Sequence, residues 1–167
     1  MPIHLTIFGS GPYEEAVRFA IKQGGLEDCV ELAGTLRREE MPRIYEDADV
    51  MVHSALEEAF CNAVIEAQAM ELPVVTSDAG GLPENVEDGV TGFVVPRRDS
   101  KAIATRLLEL AKDTALRQRM GAAGRARALG RFDLDRQAEA FVRLYTELAQ
   151  LPRRPVLGSQ LGAAAKG

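Results

Sequence analysis

The chain is short of cysteine, histidine and excess positive charge, and each shortage excludes a class of function. Two cysteines among 167 residues, Cys29 and Cys61, make no disulfide framework. With only two histidines beside them, the sequence shows no Cys/His cluster at metal-ligand spacing, and no metal is expected. A reducing, cytoplasmic setting is the expected one. The net charge is −5, so no excess of basic residues marks a nucleic-acid partner. No basic patch interleaved with aromatics appears either. No apolar run approaches the roughly 20 residues a membrane helix needs. Met1-Pro2-Ile3-His4 leads straight into a strand pattern, with no signal-peptide layout. What is present is ordinary for a globular protein: 46% hydrophobic and 27% charged residues, enough for one domain with a sizeable core.

Apolar periodicity sets out the elements. Leu5-Thr6-Ile7-Phe8 reads as a strand stopped by Gly9-Ser10-Gly11-Pro12. Residues 13–23 carry Ala16, Val17, Ala20 and Ile21 at helical spacing, ended by Gly24-Gly25. Further strands are expected at 30–33, 49–53, 73–76 and 92–95, and further helices at 39–47, 62–71, 100–112, 115–129 and 134–150. Strands alternating with helices, and nearly continuous in apolar residues, call for a doubly wound parallel sheet. We therefore expect an α/β fold, a single Rossmann-like domain over 1–150, with helices on both faces of the sheet. From 151 to 167 the chain turns to Pro, Arg, Gly and Ala and is read as a disordered tail.

The informative stretch joins the strand at 49–53 to the one at 73–76. Glu58 and Glu66 stand eight residues apart, one before and one within the intervening helix. That position is the ligand-binding edge of an open parallel sheet. The amides of Phe60, Cys61 and Asn62 open the helix and point unpaired donors outward, an arrangement suited to a diphosphate. Carboxylates accept hydrogen bonds from a sugar diol. Gly80-Gly81, at the same edge, lets a backbone come close to a ligand. Arg37, Arg38, Arg97 and Arg98 read as solvated, with a diphosphate contact from one of them as the alternative; the run Arg117, Arg119, Arg125, Arg127 and Arg131 also reads as solvated, with a membrane-surface or partner role open. His53 reads as structural rather than as a general base, and Cys61 as a small buried residue, with a reactive thiol near the helix start as the alternative.

These residues resemble the nucleotide-sugar-binding half of the retaining glycosyltransferases of family 4, the group 1 glycosyl transferases. The match runs from Ser54-Ala55-Leu56-Glu57-Glu58-Ala59-Phe60 to Glu66-Ala67-Gln68-Ala69-Met70-Glu71-Leu72-Pro73-Val74-Val75. It continues through Asp78-Ala79-Gly80-Gly81-Leu82-Pro83-Glu84, Asp88-Gly89 and Thr91-Gly92-Phe93-Val94-Val95-Pro96. The resemblance implies a B-type glycosyltransferase C-terminal domain carrying the family's Glu-x7-Glu motif. It implies a transferase of the hexosyl type in carbohydrate biosynthesis, with the donor's own diphosphate helping to take the acceptor proton. Glu58 would meet the transferred sugar and Glu66 the ribose hydroxyls. The backbone of Ala59, Phe60, Cys61 and Asn62 would hold the diphosphate or sugar, with Gly80 and Gly81 beside it. Gly11, Thr35 and Leu36 would border the nucleotide. No cofactor is implied beyond the nucleotide-diphosphate sugar itself, which is substrate.

Three positions depart from the family pattern. Glu71, Ala59 and Cys61 stand where glycine is common. The family's usual first βα unit, with its Arg and Lys, has no counterpart here, so transfer by the chain alone is expected to be weak or absent. To fill the central strand position, the segment 5–8 is expected beside 50–53, or a partner chain supplies the strand. The partner alternatives are a separate acceptor-domain chain or a second copy, with peripheral contact to the inner membrane face also open. A standalone nucleotide-sugar-binding or assembly module is the alternative function; an epimerase or phosphorylase on this architecture would want acid-base groups not seen here.

Overall fold

Short β-branched runs between glycine turns become short parallel strands. The computed structural model describes residues 3–152, which divide after Arg131 into two units. The first unit runs β1 (Leu5–Phe8), α1 (Glu14–Gln23), β2 (Val30–Gly34), a 3-10 turn (Arg38–Glu40), α2 (Met41–Asp47) and β3 (Met51–His53). It continues with α3 (Asn62–Ala69), β4 (Val74–Ser77), α4 (Leu82–Asn85), β5 (Gly92–Val95), α5 (Ser100–Lys112) and α6 (Thr114–Arg131). The second unit carries α7 (Leu134–Gln150), an amphipathic helix on which Phe141 and Tyr145 stack at a centroid distance of 6.4 Å. The tail read as disordered lies, from residue 153 onward, outside the described residues.

All strand pairs are parallel, with helices on both faces, as the α/β pattern predicts. The ladder is divided, however. β1 pairs with β2, while β3, β4 and β5 form a separate sheet in that order. The expected placement of segment 5–8 beside 50–53 is therefore wrong. Leu5 aligns with Val30 and Ile7 with Leu32. The short β1–α1–β2 crossover pairs the two strands that are neighbours in sequence.

The core lies around β4. Adjacent strand residues point to opposite faces, so Val74 joins Tyr45, Val64, Ala67, Leu82 and Val86 on one side. Val75 joins Phe93, Leu110, Leu116 and Met120 on the other. Helix α6 crosses α3 where Gly121 and Gly124 stand against Glu71 and Gln68; a Cβ at Gly121 would strike the Glu71 carbonyl.

Three of the five arginines of α6 correct the reading of a solvated basic face. Arg117 donates to the Leu110 carbonyl at 2.6 Å, Arg125 to Ala69 at 2.8 Å and Arg127 to Glu84 at 2.8 Å. Each thus covers carbonyls in the last turn of a helix, of α5, α3 and α4 respectively. Those carbonyls lack intrahelical donors and form the negative end of a helix dipole.

Candidate functional site

The loop from Ser54 to Cys61 leaves the carboxyl end of β3 and enters α3. Its backbone is tied down along its length. Ser77 Oγ donates to the Ala55 carbonyl, Arg97 Nη1 to Leu56 at 3.4 Å and the Gly81 N–H to Glu58 at 2.9 Å. The Cys61 N–H donates to buried Asn85 Oδ1 at 3.2 Å. Gly80, at φ 50°, and Gly81 back directly onto this loop. A Cβ on either would overlap the carbonyl of Glu58 or Ala59. These glycines permit a close approach to the chain's own Glu58–Ala59 backbone.

Glu58 sits in the loop, as the spacing suggests, and Glu66 in the second turn of α3. The Tyr45 hydroxyl donates to Glu66 Oε2 at 3.3 Å, and Arg38 Nη2 lies 3.9 Å from Glu66 Oε1. Burial, then the Glu66 charge, pushes the Tyr45 hydroxyl up to about 12. Glu66 keeps a side-chain exposure of 40%, so it can still meet a ligand. Sequence reading placed Tyr45 on an apolar face and Arg38 in solvent. The signal it missed is that a tyrosine carries a polar tip that needs a partner when its ring is buried.

Glu58 Oε2 lies 3.5 Å from His53 Nε2, and both side chains are 28% exposed. Cys61, at the N-cap of α3, completes a group whose ligating atoms all fall within 4.8 Å of one another. The expectation of no Cys/His cluster at ligand spacing is therefore corrected. Positions 53, 58 and 61 come from a strand, a loop and a helix start, and no single-element periodicity displays them together. The neighbouring Cys61 raises the His53 pKa against the opposing effect of burial, with Glu58 adding to the rise. Burial pushes the Cys61 thiol up, but His53 and the Val64 amide more than offset it, leaving it below its ordinary value.

The start of α3, like that of α1, carries no side-chain cap, unlike the starts of α5 and α6. Helices α5 and α6 are capped by Asp99, accepting from the Ala102 N–H at 2.9 Å, and Asp113, accepting from Leu116 at 2.8 Å. No side-chain cap bond closes α3. Of the amides expected to meet a diphosphate, that of Cys61 is corrected, because Asn85 occupies it. The more distant expected residues gather at the carboxyl end of β1 and β2. Thr35 Oγ1 lies 3.2 Å from Ser10 Oγ, and the Gly9 N–H bonds the Gly34 carbonyl at 2.8 Å. Gly11 and Leu36 flank that contact in sequence. The 3-10 turn following β2 then carries Arg38 to Glu66.

The parallel α/β fold is the one shared with solved glycosyltransferases of the B-type class. The sequence model described as "Glycosyl transferases group 1" matches residues 1–127, and the chain belongs to that family. The chain is 39% identical over 116 residues to the amylovoran biosynthesis glycosyltransferase AmsK of Erwinia amylovora, covering 66% of this chain and 28% of that protein. It is 39% identical over 132 residues to the D-inositol 3-phosphate glycosyltransferase of Streptomyces avermitilis, covering 79% of this chain and 28% of that protein. Among solved structures, Anabaena HepE in complex with UDP and glucose superposes with a TM-score of 0.81 at 25% identity, over 86% of this chain and 40% of HepE. The sucrose-phosphate synthase of Thermosynechococcus elongatus superposes with a TM-score of 0.80 at 29% identity, over 87% of this chain and 38% of that one. The chain thus spans under a third of the length of these curated relatives. No helix among the described residues is long and apolar enough to cross a membrane.

Proposed function

We propose that this chain is the donor-binding domain of a retaining glycosyltransferase that takes a nucleotide-diphosphate sugar. The observation that carries the reading is the anchoring of two acids on one loop–helix unit at the carboxyl edge of the sheet. In this reading Glu66, oriented by Tyr45 and Arg38, accepts from the ribose hydroxyls. Glu58 faces the transferred sugar. The backbone of Ala59, Phe60 and Asn62, with the uncapped start of α3, faces the diphosphate. Gly80 and Gly81 shape the loop, and Gly11, Thr35 and Leu36 border the nucleotide. HepE, solved with UDP-glucose, supports the donor class by likeness of fold.

Calorimetry of the purified chain with UDP, GDP and ADP, and with the corresponding nucleotide sugars, tests the reading. At least one nucleoside diphosphate is expected to bind, and Glu66→Ala to weaken it by about tenfold or more, about 1.4 kcal/mol. Glu58→Ala is expected to weaken the nucleotide sugar while sparing the free nucleotide. Equal affinities of wild type and Glu66→Ala would remove Glu66 from the site.

A second reading keeps the same site in a different setting. The chain would bind nucleotide sugar and work with a separately encoded acceptor subunit. Under both readings these 167 residues alone transfer sugar weakly, and robust turnover by the purified chain would defeat that expectation.

A further inference from the structure

We propose that His53, Glu58 and Cys61 form a three-ligand site for Zn2+. Their ligating atoms lie within 4.8 Å of one another. Tetrahedral zinc with bonds of about 2.1 Å to nitrogen and oxygen sets those ligands about 3.4 Å apart. Glu58 Oε2 and His53 Nε2 already stand at 3.5 Å. Bringing the Cys61 sulfur to a bond of about 2.3 Å requires a closure of about 1 Å. A side-chain adjustment supplies that movement.

Three further observations support the site. His53 Nε2 is buried, and its neighbours Glu58, at 3.5 Å, and Cys61 lie close to it but outside good hydrogen-bond geometry. Orphaned buried polar atoms of this kind call for a partner. The backbone under each ligand is fixed: the His53 carbonyl accepts from Thr76 Oγ1 at 3.0 Å, Glu58 from the Gly81 N–H, and the Cys61 N–H is held by Asn85. A rigid frame of this sort preorganises a metal site. Cys61 is 7% exposed, whereas His53 and Glu58 are half-buried, which leaves an entry path on their side.

The chemistry of the donor set selects the metal. A thiolate, an imidazole and a carboxylate carry a combined charge of −2 and balance a divalent ion. Sulfur and nitrogen donors disfavour Mg2+ and Ca2+, which take oxygen. Three protein ligands leave a fourth position open for water or an oxygen ligand. The metal site stands independently of the donor reading. One consequence does rest on that reading: zinc engages the Glu58 carboxylate and so competes with the sugar of the donor.

Co2+, the spectroscopic substitute for zinc, is titrated into the purified 167-residue chain without nucleotide. The expected result is one equivalent bound, with a near-ultraviolet thiolate-to-metal charge-transfer band that one equivalent of Zn2+ displaces. Cys61→Ser is expected to abolish the band, and His53→Gln and Glu58→Gln to weaken binding at least tenfold. Cys29→Ser, remote in sequence and bonded through its thiol to the Leu26 carbonyl, leaves the band unchanged. Absence of the band at equimolar Co2+, or its survival in Cys61→Ser, overturns the proposal. Should Cys61→Ser fail to fold, the zinc-induced rise in melting temperature decides. A larger rise in wild type than in Glu58→Gln supports the site, and equal rises overturn it. Calorimetry with Zn2+ present then reads the competition. A nucleotide sugar unaffected by zinc, with the band intact, defeats the Glu58–sugar assignment and leaves the metal site standing.

Discussion

The β1–α1–β2 segment and the β3–β4–β5 sheet share one sequence grammar and differ in burial. All four residues of β4 are buried, while α1 has no buried residue and β1 starts with two exposed ones. Ile3, Leu5 and Phe19 remain exposed, Phe19 at 65%. Apolar periodicity therefore specifies an element in both places, but only the second region closes layers of helix over both faces of its sheet. The acidic loop is built on that second region. There a hydrogen-bonding group deep in the core, such as Asn85, can fix a loop residue in place.

The largest expected effect separates the two regions directly. Leu110 is fully buried between β4 and α6. Leu110→Ala should cost about 2–5 kcal/mol in urea unfolding, through lost transfer energy and the cavity left behind. Phe19→Ala, on exposed α1, should change stability by about 0.5 kcal/mol or less. A comparable loss from Phe19→Ala would mean that something covers that face in solution.

Two glycine substitutions sharpen the contrast. Gly81→Ala places a Cβ against the Ala59 carbonyl, so the acidic loop must move. It should cost about 1–3 kcal/mol by overpacking and abolish nucleotide-sugar binding. Gly25, at φ 60°, has open space around its missing Cβ. Gly25→Ala should cost only the left-handed backbone term, about 1–2 kcal/mol, and leave binding intact. Equal damage to binding from both would show that global stability, not loop position, governs the site.

Much of this division was legible in the residues, and its exceptions have physical causes. The strand at 92–95 and the helices at 100–112 and 134–150 follow the apolar spacing to the residue. The four-residue α4 escaped because a helix of one turn has no period to detect. The position of β1 was misjudged because strand pairing depends on long-range competition for hydrogen bonds. Glu58 and Glu66 were visible as a motif. Their supports Tyr45, Asn85 and His53 were not, because each is brought in from a different element and only the packed core sets them side by side.

Alkaline titration examines one of those supports. The raised Tyr45 value lies above the ordinary 10.0, so the folded state keeps its proton where the unfolded chain has lost it. The stability Tyr45 contributes is thus complete below pH 10 and is lost as the pH rises through about 12. The difference in tyrosinate absorbance between wild type and Tyr45→Phe should show that high midpoint. Glu66→Gln should lower it only partway, since burial is the larger cause and persists. An unchanged midpoint in Glu66→Gln would break the Tyr45–Glu66 contact and with it the orientation assigned to Glu66.

The smallest expected effect lies in the well-packed region itself. Glu71 follows α3 at φ 64°, a left-handed conformation natural to glycine. The left-handed backbone costs a non-glycine residue about 1–2 kcal/mol. Glycine gives back about 0.5–1 kcal/mol through its greater unfolded-state freedom. The exposed Glu71–Arg125 pair, at 3.7 Å, adds little. Glu71→Gly should therefore stabilise the chain slightly and raise the melting temperature in calorimetry by about 1–3 °C. A fall in melting temperature would show that the Arg125 pair holds the turn after α3 more firmly than its exposure suggests. The strain would then be offset locally, and the contrast between the two regions would rest on burial alone.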